Sequence, residues 1–536
     1  MKAVVLFYPT GIVHMRNLEV LRKFLPGYRF MVIVEPWMRN SSPEVLEKIK
    51  PEDRVNVEKG KLPRSVWKTP VDILFLSMAY PNPFRLHMVY EAAKRNIPVI
   101  AIEEVNQLAL NDGIINHYFL PIDYFGVPSD VERKKFMGLG LPGASIRVTG
   151  WPFFDKTAVL KPADGFKLRE SCKIAGNKKC CLLVLGSLKE CDIVSLETRS
   201  VRNEILNIVS RGLRKDYQLL VKPHPVETEE ALEDIKRQVP DAVILDPRLP
   251  IEPILAQADL VVNRGNSQVT LLAMLQGKPL IVVPVGMRTI FHGPLDALIA
   301  DSPSAFSAIQ DSHFFGGSRN YKRILDTHFP LTEKQSPAKV KELFGAALEQ
   351  GTSTEPEKKI YISILFAFLR DITQAKQVAA GMQGHPAVSL LKKLYDRGIS
   401  AEEFKTLLEQ FSGKIVRWHL QALFIRHLLK IKDKKVIKEG ISLLDGFDCD
   451  VNPHYFIDEM VGRIELEYKS GREAEAGRLY EKFCTDYSVF AYYKQAFDML
   501  EYVYQRHPKH PRLFKSLWLL RNWNKNYTRH YIKKKI

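Results

Sequence analysis

The feature that most restricts how this chain can fold is a rhythm in its first half. Short, continuous apolar runs rich in β-branched residues are each followed by a helical pattern, and the series begins twice. Residues 4–8, 30–34, 73–76 and 98–102 read as strands, with helices at 17–24 and 85–94. Strands that are apolar along their whole length belong to a parallel sheet covered on both faces. The second series predicts strands at 181–185, 218–222, 242–245, 260–262 and 280–283. Helices are expected between them at 197–212, 229–238, 250–256 and 269–276. Alternation of this kind makes the fold class α/β. Two series predict two doubly wound, dinucleotide-fold-like domains facing a cleft. We place the first at residues 1–155 and the second at 156–375, joined by a hinge that begins at Val148-Thr149-Gly150-Trp151-Pro152.

From about residue 352 the β-branched runs vanish and helical periodicity takes over. Residues 412–430, 435–444, 454–469, 472–487 and 489–505 read as successive amphipathic helices. Their pairing resembles a tetratricopeptide-like array, so residues 376–536 are expected to form an all-α domain. A chain of 536 residues has ample length for three domains.

The net charge of +17 calls for a partner or a location to explain it. After Glu501 the chain has no acidic residue, and Arg506, Lys509, Arg512, Lys515, Arg521 and Lys525 alternate with Phe514, Trp518, Trp523 and Tyr527. A basic segment with interleaved aromatics suits an anionic membrane surface. The plainer alternative is a last packed helix with a solvated basic face. Nucleic acid is not expected as a partner, because no recognised binding module accompanies the charge. The six cysteines show no metal-ligand spacing and read as small buried thiols of a reducing compartment. No stretch reaches the roughly 18 apolar residues that span a bilayer, and the apolar run after Lys2 is too short for a signal-peptide core. The expectation is a cytoplasmic protein, held to the inner face of a membrane by its surface if at all.

Ligands of doubly wound sheets bind beyond the carboxyl ends of the strands, so candidate chemistry is sought there. After the first strand, Gly11 permits a sharp turn and His14 begins a helix, where it could act as a base or bind an anion. Glu103 and Glu104 follow the strand at 98–102, and Asp112 stands in Asn111-Asp112-Gly113. A carboxylate at such an end could deprotonate an attacking hydroxyl. Past the strand at 218–222, two prolines stiffen Pro223-His224-Pro225, from which His224 and Lys222 could contact phosphate. Past 260–262, Asn263-Arg264-Gly265-Asn266-Ser267 leads into a helix. Gly265 would allow close backbone approach, and Ser267 would cap the helix or donate to a phosphate.

Together, Lys222-Pro223-His224-Pro225, Asn263-Arg264-Gly265-Asn266-Ser267 and Gln276-Gly277-Lys278-Pro279 resemble the nucleotide half of GT-B glycosyltransferases. Val148-Thr149-Gly150-Trp151-Pro152-Phe153-Phe154-Asp155 is similar to the connection between their two domains. The nearest families look like bacterial polysialyltransferases, capsular polysaccharide and Kdo transferases, CDP-glycerol glycerophosphotransferases and UDP-GlcNAc 2-epimerases. The resemblance spans roughly residues 1–375. In CMP-sugar transferases a histidine–proline loop and a serine-bearing loop hold the nucleotide. By resemblance those roles fall on His224 with Pro225 and on Ser267, beside Lys222, Gly265 and Asn266. The acid–acid–glycine base motif of those enzymes is matched in part, since Asn111 stands where the first acid would be. The base therefore stays open between Asp112 and the Glu103/Glu104 pair. UDP-sugar enzymes carry a ribose-binding glutamate in the following helix, where this chain offers Thr270.

What the resemblance implies is an inverting, metal-independent glycosyltransferase with no cofactor. It would take a CMP- or UDP-linked sugar as donor and a cell-surface glycan or glycolipid as acceptor, in capsule, O-antigen or lipopolysaccharide synthesis. The helical domain would bind a protein partner or the acceptor. A CDP-glycerol-type glycerophosphotransferase and a non-catalytic scaffold on the same fold are the rivals.

Overall fold

The structure is a computed structural model. It describes residues 2–9, 12–36, 38, 46–57, 62–77, 83–103, 120–141, 143–152, 167–172, 174–186, 190–191, 194–195, 199–225, 227–264, 268–285, 299–311, 318–328, 335–352, 356–382, 384–445, 447 and 457–479. The chain divides into two compact units. One holds residues 1–105, 115–155 and 326–452, and the other holds 106–114, 156–325 and 453–536.

The first unit is built on seven parallel strands: β1 (Ala3–Tyr8), β2 (Tyr28–Val34), β3 (Arg54–Asn56), β4 (Ile73–Leu76), β5 (Val99–Ile102), β6 (Tyr124–Val127) and β7 (Ile146–Val148). Their order is β3-β2-β1-β4-β5-β6-β7, so the chain reverses direction across the sheet between β1 and β4. The continuous apolar runs have the expected cause, because Val4 through Tyr8 are all buried and both faces of β1 are covered. On one face Val5 and Phe7 pack with Leu18 and Leu21 of the helix Ile12–Phe24. Phe7 stacks on Phe75 at 5.3 Å. The strands β3, β6 and β7 went unread in the sequence for identifiable reasons. β3 and β7 are edges carrying Arg54, Asn56 and Arg147, so they lack a continuous apolar run. β6 contains Gly126, where an added Cβ would lie 2.9 Å from the Thr149 hydroxyl.

The helix Gln335–Gln350, which falls in the stretch 156–375 assigned from sequence to the second domain, contributes Val340, Leu343, Phe344 and Ala347 to the core of this first sheet. Phe344 meets Tyr28 edge-on at 5.7 Å. The helices that follow, Pro356–Phe368, Ile372–Ala380, Pro386–Tyr395, Ala401–Glu409, Lys414–Leu428 and Lys434–Ile441, belong to the same unit. They are tied to the sheet by specific contacts. Phe366 packs edge-on against His87 at 4.9 Å and Tyr90 at 5.9 Å, both on the helix Pro83–Lys94. Lys358 forms a buried ion pair with Asp123 at 2.5 Å. The Tyr124 hydroxyl donates to the Gly351 carbonyl at 2.9 Å. Gly140 has φ of 92°, and a Cβ there would lie 2.4 Å from the Gly413 Cα, so only glycine lets these two backbones meet.

The second unit has a five-stranded parallel sheet of β8 (Lys179–Val184), β11 (Tyr217–Lys222), β12 (Val243–Ile244), β13 (Leu260–Asn263) and β14 (Leu280–Val282). A small antiparallel pair, β9 (Glu190–Cys191) and β10 (Val194–Ser195), lies between β8 and β11 in sequence. The main order is β12-β11-β8-β13-β14, with the reversal between β8 and β13. Val201, Ile205, Ile208 and Val209 of the helix Arg199–Gly212 pack with Cys181, Leu183, Val221 and Phe306 in its core. Cys180 and Cys181 are the expected buried thiols, and burial pushes the Cys181 thiol well up. The helix Ile457–Lys469 groups with this unit. Residues 480–536, including the basic tail, lie outside the described residues. Among the described residues no helix is long and apolar enough to cross a membrane.

Candidate functional site

The strand order of the second sheet reverses between β8 and β13, the place where doubly wound sheets bind ligands, and the end of β11 lies beside β8. Those ends carry most of the residues singled out from sequence. β11 runs out at Lys222, and Pro223-His224-Pro225 follows. Glu227 then turns back, its N–H donating to the His224 carbonyl at 3.0 Å. Thr228 caps the helix Glu229–Gln238 by accepting from the Ala231 N–H. The histidine is thus held in a short turn between a strand end and a helix cap. Pro225 is exposed beside it.

Burial, with Lys222 and Arg202 adding to it, holds the His224 imidazole below the ordinary histidine range, while the Glu227 carboxylate pulls the other way. At neutral pH the ring is therefore uncharged and can donate one N–H to an anionic oxygen. Lys222 is only 3% exposed. Its ammonium donates to the Pro247 carbonyl at 2.7 Å and to the Pro223 carbonyl at 3.2 Å. In this state Lys222 anchors the loop backbone. Burial lowers its pKa, against the nearby Asp246.

A buried pair missed by the sequence reading sits under the histidine loop. Arg202 projects from the helix Arg199–Gly212 and meets the Glu227 carboxylate at 2.5 Å, with both side chains almost fully excluded from solvent. The same guanidinium donates to the Gly186 carbonyl just past β8, also at 2.5 Å. One side chain thus ties together the loops after β8 and β11. The two partners are 25 residues apart, and an arginine in an amphipathic helix carries no mark of burial.

At the end of β13, Asn263 and Arg264 are buried. The Thr270 hydroxyl donates to Asn263 Oδ1 at 2.9 Å, which fastens the helix Gln268–Leu275 to the strand end. Thr270, noted at the ribose position, is thereby engaged inside the protein. Arg264 donates to the Val285 carbonyl at 2.9 Å. Gly265, Asn266 and Ser267 lie outside the described residues.

In the first sheet, Glu103 directly follows β5 as expected and is 1% exposed. Its N–H donates to the Gly126 carbonyl at 2.9 Å. Glu104 and Asp112 lie outside the described residues. His14 sits in the first turn of the helix Ile12–Phe24, and its side chain is not described. A second acid appears that the sequence reading passed over. Glu35 follows β2 just as Glu103 follows β5, and it accepts from the Tyr8 hydroxyl at the end of β1. Burial and the Glu35 carboxylate raise the Tyr8 pKa, so the phenol stays protonated and donates, while Arg85 opposes that shift. The Arg85 guanidinium lies 5.6 Å from the Tyr8 ring centroid. Ser77, just after β4, donates to the Tyr8 carbonyl at 3.0 Å. Tyr8 and Ser77 therefore flank the point where the strand order of this sheet reverses.

Comparison with known proteins bears on the stretch that carries the histidine loop. Residues 144–262 match the alpha-2,8-polysialyltransferase family. The match is under a quarter of the chain, runs from the start of β7 through most of β13, and contains Lys222, His224, Pro225, Arg202 and Glu227. It meets the resemblance read from the sequence. A search of curated proteins finds no match. Similar solved structures include a UDP-N-acetylglucosamine 2-epimerase from Rickettsia bellii, at 13% identity and a TM-score of 0.46 over 65% of this chain and 98% of that one. A glycosyltransferase from Rickettsia africae ESF-5 aligns at 11% identity and 0.46 over 65% and 99%. The wall teichoic acid polymerase TagF aligns at 13% and 0.43 over 65% and 89%.

Proposed function

We propose that this protein is an inverting glycosyltransferase of the GT-B kind. It would move a sugar from a CMP- or UDP-linked donor to a cell-surface glycan or glycolipid, as in capsule, O-antigen or lipopolysaccharide synthesis. The observation that carries the reading is the polysialyltransferase match over residues 144–262, which covers the rigid His224 loop at the carboxyl edge of a parallel sheet. The nucleotide occupies that edge, with a His224 N–H on a phosphate oxygen. The helix at 268–275 follows the end of β13, and the positive end of its dipole favours an anion there. Lys222 acts from beneath, as the anchor of the loop.

In the reaction, an acceptor oxygen attacks the anomeric carbon while the bond from that carbon to the phosphate oxygen breaks. The acceptor proton passes to a carboxylate, and the electron pair leaves on the phosphate. Hydrogen-bond donors and the helix end stabilise that charge without a metal ion. The candidate bases are Glu103, Glu104 and Asp112, with His14 as a further candidate. Glu35 joins them on its contact with Tyr8. The helical segment, read as tetratricopeptide-like, would recognise acceptor or partner, and the basic tail would rest on an anionic inner membrane.

A thermal-shift panel of CMP, CDP, UDP, GDP and dTDP, with magnesium and with chelator, tests the donor site. A ligand that binds the folded state alone raises its stability by mass action. CMP or UDP should stabilise the protein in chelator, and His224→Ala should weaken that binding about 10- to 150-fold, as expected for one hydrogen bond to a charged group. Stabilisation that requires magnesium would refute the metal-free reading. Wild-type affinity in His224→Ala would remove His224 from the site. Turnover of CDP-glycerol alone would favour the glycerophosphotransferase, and tight binding without turnover would favour the scaffold.

A further inference from the structure

We propose that the buried Arg202–Glu227 pair is a positioning device for His224, clamping its loop to the loop after β8 so that the imidazole meets a phosphate in one orientation. The inference rests on the donor-site reading above and adds residues which that reading does not require.

The geometry is specific. β8 and β11 are neighbours in the sheet, so the segments leaving them emerge side by side at the carboxyl edge. Arg202 holds the first segment through the Gly186 carbonyl and the second through the Glu227 carboxylate, both at 2.5 Å. Both bonds leave one nitrogen, Nη2, whose two N–H groups are fixed in the guanidinium plane, whereas a lysine ammonium rotates on a flexible stem. Glu227 in turn donates its N–H to the His224 carbonyl, which closes the turn. Pro223 and Pro225 restrict the backbone on either side of the histidine. The chain from guanidinium to imidazole therefore has little freedom left.

The pair also brackets the ring electrically. Among the described residues, Glu227, Lys222 and Arg202 are the charged groups that act on it. Removing Arg202 alone leaves the carboxylate to favour imidazolium, and neutralising Glu227 alone leaves two cations to oppose it. A buried ion pair does not by itself mark a stabilising contact, since apolar residues of similar volume often serve a fold as well. Its place at a ligand-binding edge therefore argues for orientation of the site.

The test uses the full chain, with imidazole-labelled histidine followed by NMR against pH, and calorimetry with CMP, CDP and UDP. His224→Gln assigns the His224 signal. Arg202→Met should raise the His224 pKa, and Glu227→Gln should lower it further. Arg202→Lys should leave the titration near wild type yet weaken nucleotide binding about tenfold, because charge is kept and the two-loop clamp is lost. Should the single variants fail to fold, Arg202→Met with Glu227→Met removes both charges together. That double variant should melt as a folded protein and bind nucleotide about tenfold more weakly. Wild-type affinity in Arg202→Lys or in the folded double variant would overturn the proposal, as would an unmoved His224 titration in both single variants. If the wild-type protein binds none of the nucleotides, the donor reading falls by itself. Opposite shifts of the His224 titration would then still uphold the clamp.

Discussion

Lys358→Met should loosen the helical segment from the first sheet, and its cost can be worked out from the contacts. Asp123 has a fully buried carboxylate whose partners include the Lys358 ammonium at 2.5 Å and the Val99 N–H at 2.8 Å. Removing the ammonium strands a buried negative charge, and breaking such a pair from one side typically costs about 3–5 kcal/mol. Urea unfolding followed by tryptophan fluorescence reads the change, since Trp418 is buried in a helix of the same unit. At a typical slope of about 1–3 kcal/mol per molar urea, the midpoint should fall by about 1–5 M. Adding Asp123→Asn should recover part of the loss, because the two changes act on one interaction. A loss below about 1 kcal/mol in the single variant, within the range of an exposed pair, would refute the reasoning. The segment at 356–441 would then open independently of the sheet.

Among the carboxylates, replacing the true base with its amide should cut turnover by about 10²–10⁴ while nucleotide affinity stays the same. Steady-state kinetics on Glu35→Gln, Glu103→Gln, Glu104→Gln and Asp112→Asn would identify it, and full turnover in all four would point to His14. His419 is fully buried between the Tyr361 and Phe368 rings, and burial lowers its pKa to about 3. The unfolded chain therefore binds this proton first as pH falls below the ordinary value. Stability present above that value is lost by about 1.4 kcal/mol per pH unit, or about 2 kcal/mol at pH 5. Urea midpoints at pH 7.5 and pH 5 should differ less in His419→Gln than in wild type, and equal losses would refute the assignment. Truncation after Gln505 should weaken sedimentation with anionic vesicles in a salt-sensitive way, each Lys or Arg near the surface contributing about 1 kcal/mol. Unchanged sedimentation would make the tail a structural element.

The parts of this protein legible in its sequence are those whose cause is local. The helix Glu229–Gln238 has the bounds read from its pattern, because Thr228 caps it, Glu229 and Glu230 open it, and Lys236 and Arg237 close it. The central strands were visible because burial on both faces demands unbroken apolar runs, and β3 and β7 were not because an edge makes no such demand. In the site, the paired prolines of Pro223-His224-Pro225 and the acid after β5 could be read as positions. What those positions do was decided by neighbours distant in sequence. Lys222 could be read as a possible phosphate contact, but its hold on the Pro247 carbonyl, 25 residues away, could not. Arg202, which no local pattern singles out, pairs with Glu227 beneath the histidine. Glu35 became a candidate only when β1 and β2, side by side in the sheet, brought Tyr8 to it. The helix Gln335–Gln350 follows the second sheet in the chain yet packs on the first, because Val340, Leu343, Phe344 and Ala347 join that core. Sequence alone determined the alternation and the turn chemistry, since backbone preference and hydrophobic period act over a few residues. Tertiary structure alone decided which charges are buried together, because desolvation and ion pairing depend on distance in space.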